Sequence, residues 1–329
     1  MGTWVVSTDL LARSRFVVSR FTETVAALMI LSDARPPAAP WQRTFYSQHH
    51  EAYAEMLAED DVRRDLAQRL WRPRGVKPGW LVDFVSFPPL GPDASFEDEL
   101  AQLQTWDDER IRTEISTMTG GPLPTTLQRP GLREAMADVL RWVWTATLLS
   151  DWPRRRRVLE ADVVSRTSQL AKQGWEGVFN GLGSRHRWVG DGHLQINGYD
   201  LPSRDLTAAK ELSFVPVHSH GHWAAWDLPD RFALVYPVSG ALAEVERSSP
   251  DGLARLVGAN RARVLLLLDE PRSTTQLAAL TGLPLGAVGN HLRVLLEAAT
   301  VVRRRSGREV LYWRTSLGDE LAAVGLPSD

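Results

Sequence analysis

The chain contains no cysteine. That excludes disulfides, a thiol nucleophile and thiolate metal ligands, and it fits a cytoplasmic protein. Lysine is scarce: Lys77, Lys172 and Lys210 are the three present among 38 basic residues, so arginine carries the positive charge. No apolar run approaches the roughly 20 residues of a membrane span. The longest, VAALMIL from Val25 to Leu31, has the length of a core helix. Asp9 and Arg13 stand where an export signal would need an apolar stretch, so export is not expected. A phosphate-binding loop, a dinucleotide fingerprint and a serine elbow are all missing, so neither enzymatic activity nor a cofactor is expected.

What is present is a globular composition over 329 residues, 43% hydrophobic and 24% charged, long enough for two domains. The net charge of −2 conceals an asymmetry. From Arg255 to Arg314 there are ten basic and four acidic residues, a net of +6, so the remainder carries −8. A basic module on an acidic body suits a polyanionic partner.

Residues 1 to about 180 read as mostly helical. SFEDELAQLQ opens with Ser95 and Asp98 at capping-box spacing. In GLREAMADVLRWVWTATLLS, positions 132, 136, 139, 140, 143 and 146 repeat with a helical period, and the apolar second half predicts burial. Pro153 opens another helix that Gly174 stops. Arg154 to Arg157 read as a solvated face of it. RHRWVGDGHLQIN predicts two strands around Asp191-Gly192, and ELSFVPVHSH and RFALVYPVSG two more. ERSSPDG, Glu246 to Gly252, reads as a linker. The expected class is therefore α+β: a mostly helical body with a small antiparallel sheet over residues 1–245, then a second domain over 246–329.

In that second domain GLARLVGANRARVLLLLDEP predicts one helix ending near Pro271. STTQLAALTG predicts another, capped by Ser273 and Gln276 and stopped by Gly282. LPLGAVGNHLRVLLEAATV follows after a short turn, with Val288, Leu292 and Leu295 on one face and Gly289, Asn290 and Arg293 on the other. Two short helices with a glycine-containing turn describe a helix-turn-helix. VVRRRSGREVLYWR then predicts a two-stranded wing turning at Ser306-Gly307, with Arg303, Arg304, Arg305 and Arg308 suited to phosphates. Asn290 suits adenine and Arg293 guanine. Gly286 and Gly289 lower helix propensity by roughly 1 kcal/mol each and let the helix axis approach the bases. Thr275, Leu285 and His291 complete the candidate DNA contacts, His291 alternatively being a partly buried helix residue.

TTQLAALTGLPLGAVGNHLRVLLEAATVVRRRSGREVLYWR resembles the winged-helix domain of ArsR/SmtB-type bacterial regulators over about 70 residues. SFEDELAQL, RRVLEADVVSRTSQLAKQG, ALVYPVSG and RRSGREVLYWRTSLGDELA are similar to the domain of unknown function joined to such modules in actinobacterial regulators. The resemblance implies a homodimer that binds double-stranded operator DNA while its N-terminal body senses an input. Pro284 replaces the usual Ser or Thr cap and Ala299 the usual glycine before the wing. STTQLA lacks the thiol of the metal-sensing members, and TSLGDELAAVG lacks their Asp/His pattern.

The input is expected in the body. His218, His220 and His222 alternate, which on an extended chain puts them on one face, a ligand geometry of zinc enzymes. No acidic residue at a telling spacing supplies the carboxylate that metal-bound histidine needs, so these histidines read as pocket lining and no metal site is expected. Twelve of thirteen tryptophans precede residue 250. They read as core, or as walls of a cavity for an organic ligand, with Trp142, Trp188, His218, His220 and Trp223 as candidate contacts. The sequence thus reads as a dimeric, non-membrane transcription regulator, a repressor before an activator, that senses a small organic effector. The alternatives are a metal-dependent enzyme or metal sensor on the histidine cluster, and a regulator whose body binds a protein.

Overall fold

The computed structural model describes residues 2–33, 35–37, 39–72, 80–182, 186–197, 203–219, 221–238, 251–306 and 309–323. They form two compact units. The first comprises Met1–Trp152 and Gln169–Ser239, the second Pro153–Ser168 and Gly240–Asp329.

The first unit opens with β1 (Thr3–Val5), α1 (Thr8–Arg13), β2 (Arg15–Phe16) and α2 (Arg20–Leu31), so the predicted core helix is present. All of Phe21 to Leu31 is buried. Then come α3 (Pro40–Ala58), α4 (Asp61–Ala67), the short hairpin β3 (Trp71–Arg72) and β4 (Trp80–Leu81), α5 (Phe96–Leu100) and α6 (Asp108–Thr119). The Ser95–Asp98 capping box at the head of α5 forms as expected. In α7 (Leu132–Val143) the predicted apolar stripe is buried: Leu132, Met136, Val139, Leu140 and Val143 are all fully covered. The stripe does not continue to Ala146. A π-turn over Trp144–Leu148 adds a residue to the turn and rotates the buried face onto Trp144, Thr147 and Leu148, leaving Ala146 and Leu149 exposed. Helix α8 (Trp152–Gly181) breaks at Gly174, whose φ of 67° and ψ of −172° are not helical.

Strands follow: β5 (Arg187–Gly190), β6 (His193–Gln195), β7 (Arg204–Asp205), β8 (Glu211–Val217), β9 (Trp223–Asp227) and β10 (Arg231–Pro237). The Asp191-Gly192 turn joins β5 to β6 as predicted. The expected antiparallel sheet is replaced by two mixed ones, ordered β5-β6-β1-β7 and β2-β8-β10-β9. β8 runs parallel to both β2 and β10, with Phe214 opposite Leu234, while β9 is antiparallel to β10. The reason lies in burial. Leu212 to Val217 and Phe232 to Tyr236 are buried at every position, the continuous covering that parallel strands require. The core against these sheets holds Trp4, Leu10, Phe179, Phe214 and Tyr236.

The second unit contains α9 (Asp251–Val257) and α10 (Ala259–Leu266), divided by Gly258 at φ 88° where one helix was expected. Next are β11 (Arg272–Ser273), α11 (Thr274–Thr281), α12 (Leu285–Glu297), β12 (Val301–Ser306), β13 (Glu309–Arg314) and α13 (Ser316–Ala323). Residues 153–168 of α8 group with these elements, and the solvated reading of the arginine run fails at one position. Arg154, Arg156 and Arg157 are exposed, but Arg155 is buried, as are Asp162 and Arg166. Arg166 Nε lies 3.6 Å from Asp162 Oδ2. Burial pushes the Glu270 carboxyl upward, opposed by Arg272 and, more weakly, by Arg166. The expected linker falls mostly on residues outside those described.

One carboxylate of the first unit makes its stability pH-dependent. Asp83 accepts from Trp226 Nε1 at 3.2 Å, and its own backbone N–H donates to Glu114 Oε1 at 3.1 Å. Burial, and then the neighbouring Glu114, push its carboxyl from 3.8 up to about 7. The folded state therefore holds this proton more tightly than the unfolded chain. Its contribution to stability is present at low pH and is lost as pH rises from about 4 to about 7, on the order of a few kcal/mol in all. Thermal unfolding of the wild type and Asp83→Asn across that range should show the wild type losing stability relative to the variant, with parallel curves above pH 7.5.

Candidate nucleic-acid interface

The second unit orients α12 by packing one side of it. Ser273 Oγ accepts from Gln276 N at 3.3 Å and Gln276 Oε1 accepts from Ser273 N at 2.6 Å, which fixes the start of α11. Gly282, left-handed at φ 70°, ends α11 and turns the chain toward α12. Pro284 supplies no side-chain cap to α12, as its type predicts. Val288, Leu292 and Leu295 of α12 are buried, together with Leu277 and Leu280 of α11 and Ala262, Val264 and Leu265 of α10. This apolar seam leaves Gly286, Asn290, Arg293 and Glu297, spaced four, three and four apart, exposed on the opposite side. Leu285 is 54% exposed at the head of the helix, Thr275 is exposed on α11, and Gly289 and His291 are half-buried.

On the outer face Arg293 Nη2 donates to Asn290 Oδ1 at 2.8 Å, and Nη1 lies 3.3 Å from Glu297 Oε1. A methyl group built at Gly286 or Gly289 would meet nothing within 4 Å. No internal packing therefore requires glycine at either place. Gly318 is the opposite case: a Cβ there would lie 2.1 Å from the Thr300 carbonyl oxygen, a demand the sequence pattern did not reveal.

The arginine hairpin follows at once. Ala299 sits at φ 53°, a left-handed conformation costing roughly 1–2 kcal/mol for a residue with a Cβ. Thr300 is then fastened to the end of α12 by two hydrogen bonds to the Leu295 carbonyl, 3.1 Å from its N and 3.0 Å from its Oγ1. β12 and β13 pair antiparallel, and β11 joins β13 on its other side. Arg303 faces Tyr312, Arg304 faces Leu311 and Arg305 faces Val310. Arg303 and Arg305 thus share one face of the ribbon, and Arg304 lies on the other. All three are exposed. Arg308 lies outside the described residues.

The body candidates do not all come together. Trp142 packs against Tyr53 of α3 at 6.0 Å between ring centroids, whereas Trp188 stacks on Phe179 of α8 at 5.7 Å. Trp223 is buried at the start of β9. The strand ends at Val217, so the expected alternation does not put three histidines on one strand face. His220 lies outside the described residues, and the His222 ring packs edge-on against His186 at 4.9 Å. The carboxylate missing from the neighbouring sequence is supplied by Glu23, 195 residues away. Its Oε1 lies 2.9 Å from His218 Nδ1 and its Oε2 accepts from His218 N at 3.0 Å, with both side chains 1% exposed. His218 Nε2, also buried, has no hydrogen-bond partner among the described residues, and Trp41 packs edge-on against the ring. Among the described residues no three His, Asp or Glu side chains converge as metal ligands. None of the described helices is long and apolar enough to cross a membrane.

With this geometry in view, residues 259–305 match the family described as a helix-turn-helix domain. The matched segment runs from α10 through α11 and α12 into the arginine strand. The C-terminal part of the chain carries a helix-turn-helix domain. No curated protein sequence matches the chain. A solved structure described as type III plasmid segregation TubR is 18% identical, with 23% of this chain and 81% of that chain covered and a TM-score of 0.20. A likeness that slight has no bearing on the fold.

The open space around Gly286 and Gly289 gives a paired expectation. Replacing both with alanine removes one glycine from the first turn of α12 and one from its interior, a gain of up to about 1 kcal/mol each in helix stability. Unfolding of the C-terminal unit should shift upward in temperature, while affinity for duplex DNA, measured by gel shift, falls. A rise in both would show that the glycines serve no close approach.

Proposed function

We propose that the protein is a sequence-specific DNA-binding transcription regulator, a repressor, acting as a homodimer on double-stranded operator DNA. The observation that carries this reading is the outer face of α12. Its polar and glycine residues are held outward by a buried apolar seam, with an arginine-bearing hairpin immediately after it. In a winged helix-turn-helix of the ArsR type, α12 enters the major groove and the hairpin lies along the backbone. The arginines then neutralise phosphates, and the side chains of α12 read base edges. DNA binding is assigned to residues 246–329, with the segment 153–168 that groups with them, and effector sensing and dimerisation to the rest of 1–245.

The effector is proposed to be a small organic molecule. The Glu23–His218 pair supports this reading. Glu23 holds the ring and leaves a buried nitrogen without a partner among the described residues, with Trp41 edge-on to the ring, and a buried polar atom without a partner costs about 1–3 kcal/mol. A ligand polar at one end and apolar elsewhere would satisfy that atom and pack against the Trp41 ring together. Trp142 and Trp188, packed in different places, support it less.

Salt dependence tests the DNA reading. A dimer contacting about eight phosphates loses affinity with a log–log slope near −7. Replacing Arg303 and Arg305, which share a face, with glutamine should flatten that slope by roughly 3 to 4 and weaken all sequences alike. A slope unchanged in the double variant would remove the hairpin from the interface.

A further inference from the structure

The contacts among Asn290, Arg293 and Glu297 divide labour on the recognition face. We infer that, of Asn290 and Arg293, it is Arg293 that reads a base, a guanine, and that Asn290 is a positioning residue for its guanidinium rather than a reader of adenine. This rests on the DNA-binding reading above.

An asparagine that reads adenine must accept from N6–H through Oδ1 and donate to N7 through Nδ2. Asn290 Oδ1 is already engaged, by a charged donor at 2.8 Å, and charge-assisted hydrogen bonds are the stronger kind. Releasing it to meet adenine would leave Arg293 half-held. The guanidinium itself is braced on two sides. Nη2 is held by Asn290, one turn before it, and Nη1 by Glu297, one turn after, at 3.3 Å. The guanidinium has five N–H donors, so three remain, enough for the bidentate contact to guanine O6 and N7. Bracing also lowers the ordering cost of a long side chain that is 66% exposed. The axis of the helix cannot rotate to re-aim these groups, because Val288, Leu292 and Leu295 are buried on its other side. The bare surface at Gly286 and Gly289, on the same face and toward the helix N-terminus, places Arg293 at the edge of the close approach rather than at its centre.

The test is selection of duplexes from a randomised library by the full-length chain, sequencing what is retained. The wild type should enrich a repeated half-site containing one guanine column that Arg293→Ala flattens. Asn290→Ala should lower guanine preference in that same column, about tenfold, and change no adenine column. Asn290→Asp keeps an acceptor oxygen for Arg293 but offers adenine N7 no donor, so it should restore the guanine column even while overall affinity falls. Loss of a separate adenine column in Asn290→Ala would overturn the inference. So would an Arg293→Ala variant that weakens every sequence equally, since that is the signature of a phosphate contact. A wild-type chain that enriches no sequence would remove the DNA reading itself, and this inference with it.

Discussion

From Phe21 to Leu31 helix α2 is buried on every side, and the body depends on how that is tolerated. A helix so placed must satisfy its free N-terminal amides inside the protein, because an unpaired buried group costs several kcal/mol. Glu99 of α5 does this, accepting from Ser19 Oγ at 2.8 Å and from Phe21 N at 3.2 Å. Burial drives the Glu99 carboxyl upward, and these hydrogen bonds oppose the shift. One turn on, Glu23 faces the same problem and is met by the backbone and ring of His218, just past β8. Two buried carboxylates therefore fix where α5 stands and where β8 ends. β8 is the inner strand between β2 and β10, so the sheet inherits its position from the helix.

The C-terminal unit answers the opposite problem, which is to keep polar groups facing outward in a fixed orientation. Its seam is wholly apolar, so only one rotation of α12 buries Val288, Leu292 and Leu295 together. Which residues face outward is thereby decided from the other side of the helix. Gly286 and Gly289 have open space around them, so no packing within the described residues requires glycine at either place.

Features set by neighbours in sequence were legible. The capping boxes at Ser95 and Ser273, the turn at Gly282, the Asp191-Gly192 hairpin and the stripe of α7 are decided within four residues or by a short period. The face of α12 was legible for the same reason. Features set by distant partners were not. Nothing near His218 announces Glu23, and nothing in RRRR tells Arg155, which is buried, from Arg154, which is not. The parallel pairing of β8 with β10 follows from burial on both faces, which period alone does not separate from a half-buried strand. The π-turn at Trp144 breaks a period that the residues themselves continue.

The second unit is also discontinuous in time. Residues 153–168 belong to it, yet Glu270 emerges from the ribosome about a hundred residues after Arg166, a delay of roughly 5 to 20 s at ordinary rates of synthesis. For that interval the helix segment exists without the elements it will be covered by. Val158, Leu159 and Ala161 are buried on that segment, but so are Arg155, Asp162 and Arg166, so half of the side chains it covers in the folded protein are charged and well hydrated on the nascent chain. A side so mixed is weaker than a wholly greasy one once assembled, but it is less sticky while it waits.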